Sequence, residues 1–404
     1  MSILKEKRIL LGVTGSIAAY KAADLASKLT QAGSRVDVIL TRAAEQFISP
    51  LTFQSLTGRK AYTDSELWGG ESHILHVGLG HAAELFIIAP CTANTMAKLA
   101  QGQANDLLSI TALAAQCPIL LAPAMDVGMY EHPATQENAR VLQERDVHFA
   151  GPAEGRMASG LLGRGRMLEP AEVLGHARRV LGKKGKLAGK KILISAGGTR
   201  EAIDPVRFIT NRSSGKQGYA LAQAALDAGA EVILVSAPTA LIPPVGAKRV
   251  SVQSAEEMLN AVLRESDEVD AIIMAAAVAD FRPAQVAERK LKKRDGIPQI
   301  QLEAAPDILK RLASQKSSAS RPCVVVGFAA ESRDLLANAS EKLKSKKLDL
   351  IVANDISAKD AGFDVDENRV ILLTPDGKKE KLSLRSKIEV AEIILARLGD
   401  LLEK

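Results

Sequence analysis

Along the chain, short apolar runs of strand length alternate with stretches whose apolar positions return every three or four residues. Ile9–Val13, Arg35–Leu40, Leu85–Ala89 and Ile119–Ala122 form the first set of runs, and Ala18–Ala32 carries helical spacing between the first two. The rhythm restarts at Lys191–Ser195 and continues through Glu231–Ser236, Ala271–Ala275, Val324–Phe328 and Leu350–Ala353, with Gly218–Ala228 as a matching helix. Apolar strands separated by amphipathic helices predict parallel sheets covered on both faces. Arg369–Thr374 and Lys379–Ser383 flank Pro375-Asp376-Gly377 and predict a hairpin. The expected fold class is α/β, with two doubly wound domains. Leu181–Lys191, LGKKGKLAGKK, has no apolar period. It predicts a solvated linker over 182–190 between domains at 1–181 and 191–404.

Composition narrows the class. A length of 404 residues suits two or three domains. Hydrophobic content of 47% with 25% charged residues is that of a soluble globular chain. The net charge of +6 suits anionic ligands such as nucleotides but is too small to argue for nucleic acid. With aromatics at 3%, a stacking platform for single strands is not expected. Cys91, Cys117 and Cys323 are far apart and form neither a disulfide framework nor a zinc spacing, which predicts a reducing compartment, the cytoplasm. The start, MSILKEKRILLGVTGS, mimics a signal peptide, but its apolar run is short and leads into a glycine turn, as a first strand does. No stretch is long enough to cross a membrane.

Candidate chemistry sits at strand ends. GVTGSIAAYKA, Gly12–Ala22, is a strand-to-helix turn in which Gly15 permits a tight bend and Ser16 is a helix cap, a site suited to phosphate. In APCTANTMAKLAQGQAND, Ala89–Asp106, Pro90 is expected to break the strand, and Thr92, Asn94 and Thr95 offer side chains at the next helix start. GRMASGLLGRGRM, Gly155–Met167, leaves four readings open: phosphate cradle, nucleic-acid contact, lid or loose connection. In the second half, ISAGGTREAIDPVRFITNRSSGKQGYALA, Ile194–Ala222, clusters donors before a helix. Asp280 follows a strand end, where a carboxylate can hold Mg²⁺. AERKLKKRDG, Ala287–Gly296, beside it reads better as a triphosphate clamp than as a nucleic-acid patch.

The segments GVTGSIAAYKA, TRAAEQFISP, APCTANT and LAPAMDVGMY together resemble the flavin-mononucleotide-dependent cysteine decarboxylases. The resemblance implies a flavodoxin-like or Rossmann-type flavoprotein domain holding FMN through Gly15, Ser16, Thr41, Thr92, Ala93, Asn94 and Thr95. It implies a substrate contact at Met125 and a catalytic base at His76, with His73 as competitor. It also implies that the Gly155–Met167 stretch is a substrate lid. Two positions depart from the family. Asp126 stands where an asparagine usually holds the substrate carboxylate, and Ser159 stands where a lid cysteine usually donates a proton in enethiol reduction. Both are carried as catalytic candidates.

The Ile194–Ala222 string is similar to the signature of phosphopantothenate–cysteine ligases, which implies a Rossmann-like domain with a small hairpin extension. By that resemblance Asn211 stabilises the acyl-cytidylate step and Arg207 holds the pantothenate phosphate. Met274, Ala275, Ala276, Pro306, Asp307, Ile308, Leu309 and Phe328 line the substrate site. Lys290, Lys342 and Lys346 meet the nucleotide phosphates, and Asp280 meets Mg²⁺. The family's basic residue before the Pro306 segment is replaced by Glu303-Ala304-Ala305. In this order the two halves resemble the bifunctional coenzyme A enzymes. The substrates then expected are 4′-phosphopantothenate, cysteine and CTP, with neither nucleic acid nor membrane as partner. The expected assembly is a large homo-oligomer, a dodecamer of trimeric flavin domains and dimeric ligase domains.

Overall fold

The computed structural model describes residues 3–67, 74–293, 296–316, 323–331, 334–355 and 365–403. The chain divides into two compact units, Met1–Gly182 and Lys183–Lys404.

The first unit has strands β1 (Arg8–Val13), β2 (Arg35–Leu40), β3 (Ala61–Thr63), β4 (Leu85–Cys91), β5 (Ile119–Pro123) and β6 (His148–Phe149). They form one parallel sheet of order β3-β2-β1-β4-β5-β6. This is the doubly wound order whose switch point, between β1 and β4, opens a crevice at the C-terminal strand ends. Helices α1 (Ala19–Gln31), α2 (Pro50–Thr57), α3 (Leu75–Ala82), α4 (Ala93–Gln101), α5 (Leu107–Ala114), α6 (Val127–Glu131), α7 (Pro133–Glu144) and α8 (Pro170–Gly182) join and cover these strands. Helix α1 buries Ala19, Ala22, Leu25, Ala26 and Leu29 on one stripe, the spacing that marked it in the sequence. A separate antiparallel hairpin, β7 (Ala153–Arg156) with β8 (Leu162–Arg166), follows β6.

Pro90 does not end its strand. Strand β4 runs through it to Cys91, with a register shift against β5 between Ile88 and Cys91. The Thr14 hydroxyl donates to the Pro90 carbonyl at 2.7 Å and accepts from the Thr92 N–H at 3.2 Å. A side chain from the end of β1 thus satisfies main-chain groups that the irregular ladder leaves open.

The second unit repeats the architecture. Its main strands are β9 (Lys191–Ala196), β12 (Glu231–Ser236), β13 (Lys248–Ser251), β14 (Ala271–Met274), β17 (Val324–Glu331), β18 (Leu350–Asp355), β20 (Val370–Leu373) and β21 (Lys379–Lys381). Their order is β13-β12-β9-β14-β17-β18-β20-β21, parallel through β18 and antiparallel beyond. The expected hairpin is therefore the antiparallel edge of the main sheet. Small two-stranded pairs join β10 (Arg200–Ala202) to β11 (Phe208–Thr210), β15 (Phe281–Pro283) to β16 (Leu302–Ala304), and β19 (Glu367–Asn368) to β22 (Arg385–Ser386). The helices are α9 (Lys216–Asp227), α10 (Ala255–Ser266), α11 (Ile308–Lys316), α12 (Leu335–Ser345) and α13 (Lys387–Leu402).

The segment expected to be a solvated linker is largely exposed but is anchored at two points. Gly182 closes α8, and Leu187 is buried in the second unit's core, its N–H donating to the Ala228 carbonyl at 2.8 Å. A Cβ on Gly185 would collide with the Ala228 backbone. The lysines of the stretch face water while this one leucine and the glycine pack inward, too sparse a signal to form a period. No helix among the described residues is long and apolar enough to cross a membrane.

Candidate active sites

The first unit's switch point opens a cleft of about 830 Å³, within the usual range for a cofactor site. Gly15, Ser16, Thr41, Thr92, Ala93, Asn94, Thr95 and Met125 all line it. A Cβ on Gly15 would stand 2.5 Å from that of Ala43, so this close approach of two loops tolerates only glycine. Thr92 caps α4, its hydroxyl accepting from the Thr95 N–H at 3.3 Å. Ser16 does not cap α1 as expected. The N-cap is Ala18, with no side-chain cap, and the Ser16 hydroxyl accepts from the Ala18 N–H at 3.2 Å. The remaining first-turn N–H groups suit an anion.

Sequence reasoning did not single out Lys98, Asp106 and Asp64, which line the same cleft. Lys98 donates to Asp106 at 2.7 Å. Burial pushes the Asp106 carboxyl up, but Lys98 and the Ser109 donors outweigh it and hold the group below its ordinary value. Asp64 accepts from the main-chain N–H groups of Arg42 and Leu107. These carboxylates are held by local donors, and the signal that could have found them is the Asp106 capping box with Ser109.

The β7–β8 hairpin lies on the segment after β5. The Met125 N–H donates to the Gly165 carbonyl at 3.0 Å, and a Cβ on Gly165 would run into the Met125 carbonyl. At the hairpin's turn, the Ser159 hydroxyl donates to Asp126 Oδ2 at 2.5 Å. The other carboxylate oxygen accepts from the Gly128 N–H at 3.1 Å. The two residues that depart from the family pattern therefore touch each other. Neither is among the described residues lining the cleft, and nor is His76. His76 sits half-buried in the first turn of α3, and His73 lies outside the described residues. Burial alone pushes the Cys91 thiol up to about 12, and burial as the main cause pushes Cys117 up to about 11, so neither replaces a lid cysteine as an acid.

The second unit has its own cleft, of about 730 Å³, at the C-terminal ends of β9, β14, β17 and β18. Asn211, Met274, Ala275, Ala276, Asp280, Pro306, Asp307, Ile308, Leu309, Phe328, Lys342 and Lys346 line it together. Asn211 Nδ2 donates to the Val278 carbonyl at 3.1 Å, which fixes the amide against the Ala275–Ala279 loop. Helix α9 starts from Gly215 in the left-handed region without a side-chain cap, so its N-terminus faces the cleft bare. Lys342 donates to the Phe328 carbonyl at 2.9 Å, and Lys346 pairs with Asp307. Burial pushes the Asp307 carboxyl up, but Lys346 and the Lys310 N–H outweigh it and hold it below its ordinary value.

Asp280 is exposed on the cleft wall. No group of three or more His, Cys, Asp or Glu among the described residues could hold a metal by itself. A lone carboxylate suits a Mg²⁺ that takes most of its ligands from phosphates and water.

Arg207 and Lys290 are not brought to this cleft. Arg207 bridges buried Asp204, at 3.0 Å, and the Leu291 carbonyl. Burial opposes ionisation of Asp204, but the N–H groups of Val206, Arg207 and Leu291 and the Arg207 charge hold it below its ordinary value. Lys290 is exposed on the adjoining 284–293 stretch. Gln217, Asn354, Asn368 and Lys387 also line the cleft and were not assigned a role from the sequence.

Comparison with known proteins now adds to this geometry. A family model described as "Flavoprotein" matches residues 2–181, and one described as "DNA/pantothenate metabolism flavoprotein C-terminal domain" matches residues 187–401. The Coenzyme A biosynthesis bifunctional protein CoaBC of Bacillus subtilis (strain 168) is 46% identical over 99% of this chain and 98% of its own length. The chain belongs to the CoaBC family. The CoaBC protein of Vibrio vulnificus (strain YJ016) is 45% identical over 100% of both chains. A crystal structure of a CoaBC C-terminal domain shares 44% identity, covering 54% of this chain and 98% of that one, with a TM-score of 0.47. The first unit is thus a flavoprotein domain.

Proposed function

We propose that the chain carries out both coenzyme A steps. The second unit couples 4′-phosphopantothenate with cysteine at the expense of CTP, and the first decarboxylates the product with FMN to give 4′-phosphopantetheine. The single observation that supports this best is the pair of separate clefts, each at the C-terminal edge of its own doubly wound sheet, in a chain aligned end to end with CoaBC relatives.

In the ligase cleft, the carboxylate of 4′-phosphopantothenate attacks the α-phosphate of CTP and releases pyrophosphate. The cysteine amine then displaces CMP. The N-terminus of α9, Lys342 and Lys346 offset the phosphoryl charge, and Asp280 would hold a Mg²⁺ that supplies further charge stabilisation. Asn211 donates to the acyl-cytidylate. Arg207 and Lys290 meet substrate phosphates only when a loop or another subunit brings them to the cleft, in keeping with a homo-oligomer.

In the first unit, Gly15, Ser16 and the Thr92–Thr95 helix start hold the phosphate and edge of FMN. Bound there, FMN would supply the two-electron chemistry that the thiol oxidation and the later reduction need. His76, which does not line this cleft, serves as the base only where a loop movement or another subunit brings it there, and the hairpin excludes water only on closing over the cleft.

One observation favours a second reading of this half, in which reduction is altered and the enethiol is the product. Ser159 offers a hydroxyl already bonded to Asp126, and a hydroxyl is a far weaker acid than a thiol. Purified protein given 4′-phosphopantothenate, cysteine, CTP and Mg²⁺ separates these readings by mass spectrometry. 4′-Phosphopantetheine supports the full reading, an accumulating oxidised decarboxylated species supports the second, and no CTP-dependent amide overturns both.

A further inference from the structure

At the second unit's cleft, two buried amide oxygens have no hydrogen-bond partner among the described residues. They are Oδ1 of Asn354, which is 9% exposed, and Oδ1 of Asn368, which is 3% exposed. The orientation of Asn368 follows from a chain of donors. Gln217 Nε2 donates to the Lys387 carbonyl at 3.2 Å, and Asn368 Nδ2 donates to Gln217 Oε1 at 3.0 Å. A main-chain carbonyl only accepts, so Gln217 must turn its nitrogen to Lys387 and its oxygen to Asn368. Asn368 must then spend its nitrogen on Gln217. Its oxygen is left for the cleft that both asparagines line.

An unpaired buried acceptor disfavours the empty site and selects a ligand with N–H or O–H groups. Phosphates and carboxylates bring only acceptors and are repelled. A protonated primary amine brings three donors. Lys216, which already pairs with Asp366 at 2.7 Å, and Lys387 line the same cleft, and a ligand that also bears a carboxylate would compete with Asp366 for Lys216. Phe328 is the one aromatic residue among the described lining residues, and it pairs with Val352, two residues before the Ala330–Asn354 pair.

We propose that the Asn354 and Asn368 amide oxygens receive the amino group of the amino-acid substrate, with Lys216 and Lys387 facing its carboxylate. This rests on the coupling reaction proposed above. Neutral oxygens hold an ammonium without the strong stabilisation a carboxylate would give, so the amine is more readily deprotonated for attack.

The test uses the full-length protein. Asn354→Ala and Asn368→Ala should each raise the KM for cysteine about tenfold. The pyrophosphate burst from CTP and 4′-phosphopantothenate without cysteine should change by no more than about twofold. An unchanged cysteine KM, or a rise confined to the CTP KM, overturns the proposal. No pyrophosphate burst from the unaltered protein would instead refute the coupling reaction itself. A second measurement needs no variant. N,N-Dimethylcysteine, which has one N–H when protonated, should compete with cysteine about tenfold more weakly than S-methylcysteine, whose ammonium is intact. Equal competition overturns the proposal.

Discussion

The two clefts stand on the same parallel strand order, yet they differ in their buried polar side chains. In the first unit the side chains lining the cleft close on one another: Thr92 with Thr95 and Lys98 with Asp106. In the second, Lys346 closes on Asp307 as well, but two buried amide oxygens have no partner among the described residues. A closed set of partners suits a site built around one resident group. Open acceptors suit substrates that arrive, react and leave. The difference is set by side chains and not by the fold, which is why one architecture serves two chemistries.

The largest expected effect separates the clefts at Asn211. Asn211→Asp replaces the donor to the Val278 carbonyl with a carboxylate and removes the donor to the acyl-cytidylate. CMP formation should fall by about 10²–10³, and an undiminished rate would remove Asn211 from the mechanism. On the other side, Gly15→Ala puts a Cβ against Ala43, and the purified variant should lose its flavin absorbance while keeping cysteine coupling. Retained flavin would show that the close approach of these loops does not shape the cofactor site.

A finer test concerns the lid. Ser159→Cys and Asp126→Asn each restore the family's usual residue but break the contact between them. Their effects on enethiol reduction should be non-additive, with a coupling of about 0.5–3 kcal/mol. Additive effects would make the contact incidental. The smallest effect is on acid stability. The Asp307 carboxyl is held below its ordinary value in the fold, so its pair with Lys346 stabilises above the ordinary value and is lost as pH falls through the depressed one. The melting-temperature gap between the unaltered protein and Lys346→Met should narrow once pH falls below the ordinary aspartate value and close as it passes the depressed one. Because Asp307 is half-exposed, the gap should be small.

Much of this was legible in the sequence, for a physical reason. Parallel strands buried on both faces read as continuous apolar runs, so β1, β2, β9 and β12 fall within a residue of expectation. The polar edge strand β13, KRVS, and the glycine-rich β7–β8 hairpin carry no such pattern. Strand β4 passed through Pro90 because Thr14, distant in sequence, satisfies the groups beside it. Cleft-lining residues were found where they lie in strand-end motifs. Asn368, Gln217 and Lys387 were not, because an acceptor left open is a property of β19, α9 and α13 meeting, which no local pattern contains. The contact between Ser159 and Asp126 was hidden in the same way, although each residue was singled out alone.

The central claim is that each unit carries its own half of the chemistry, and crossed variants test it most directly. Asn211→Asp, given preformed 4′-phosphopantothenoylcysteine, should still release CO₂ at the unaltered rate, while Gly15→Ala, given CTP, cysteine and 4′-phosphopantothenate, should accumulate the amide without decarboxylating it. Loss of both activities in either variant would contradict the claim.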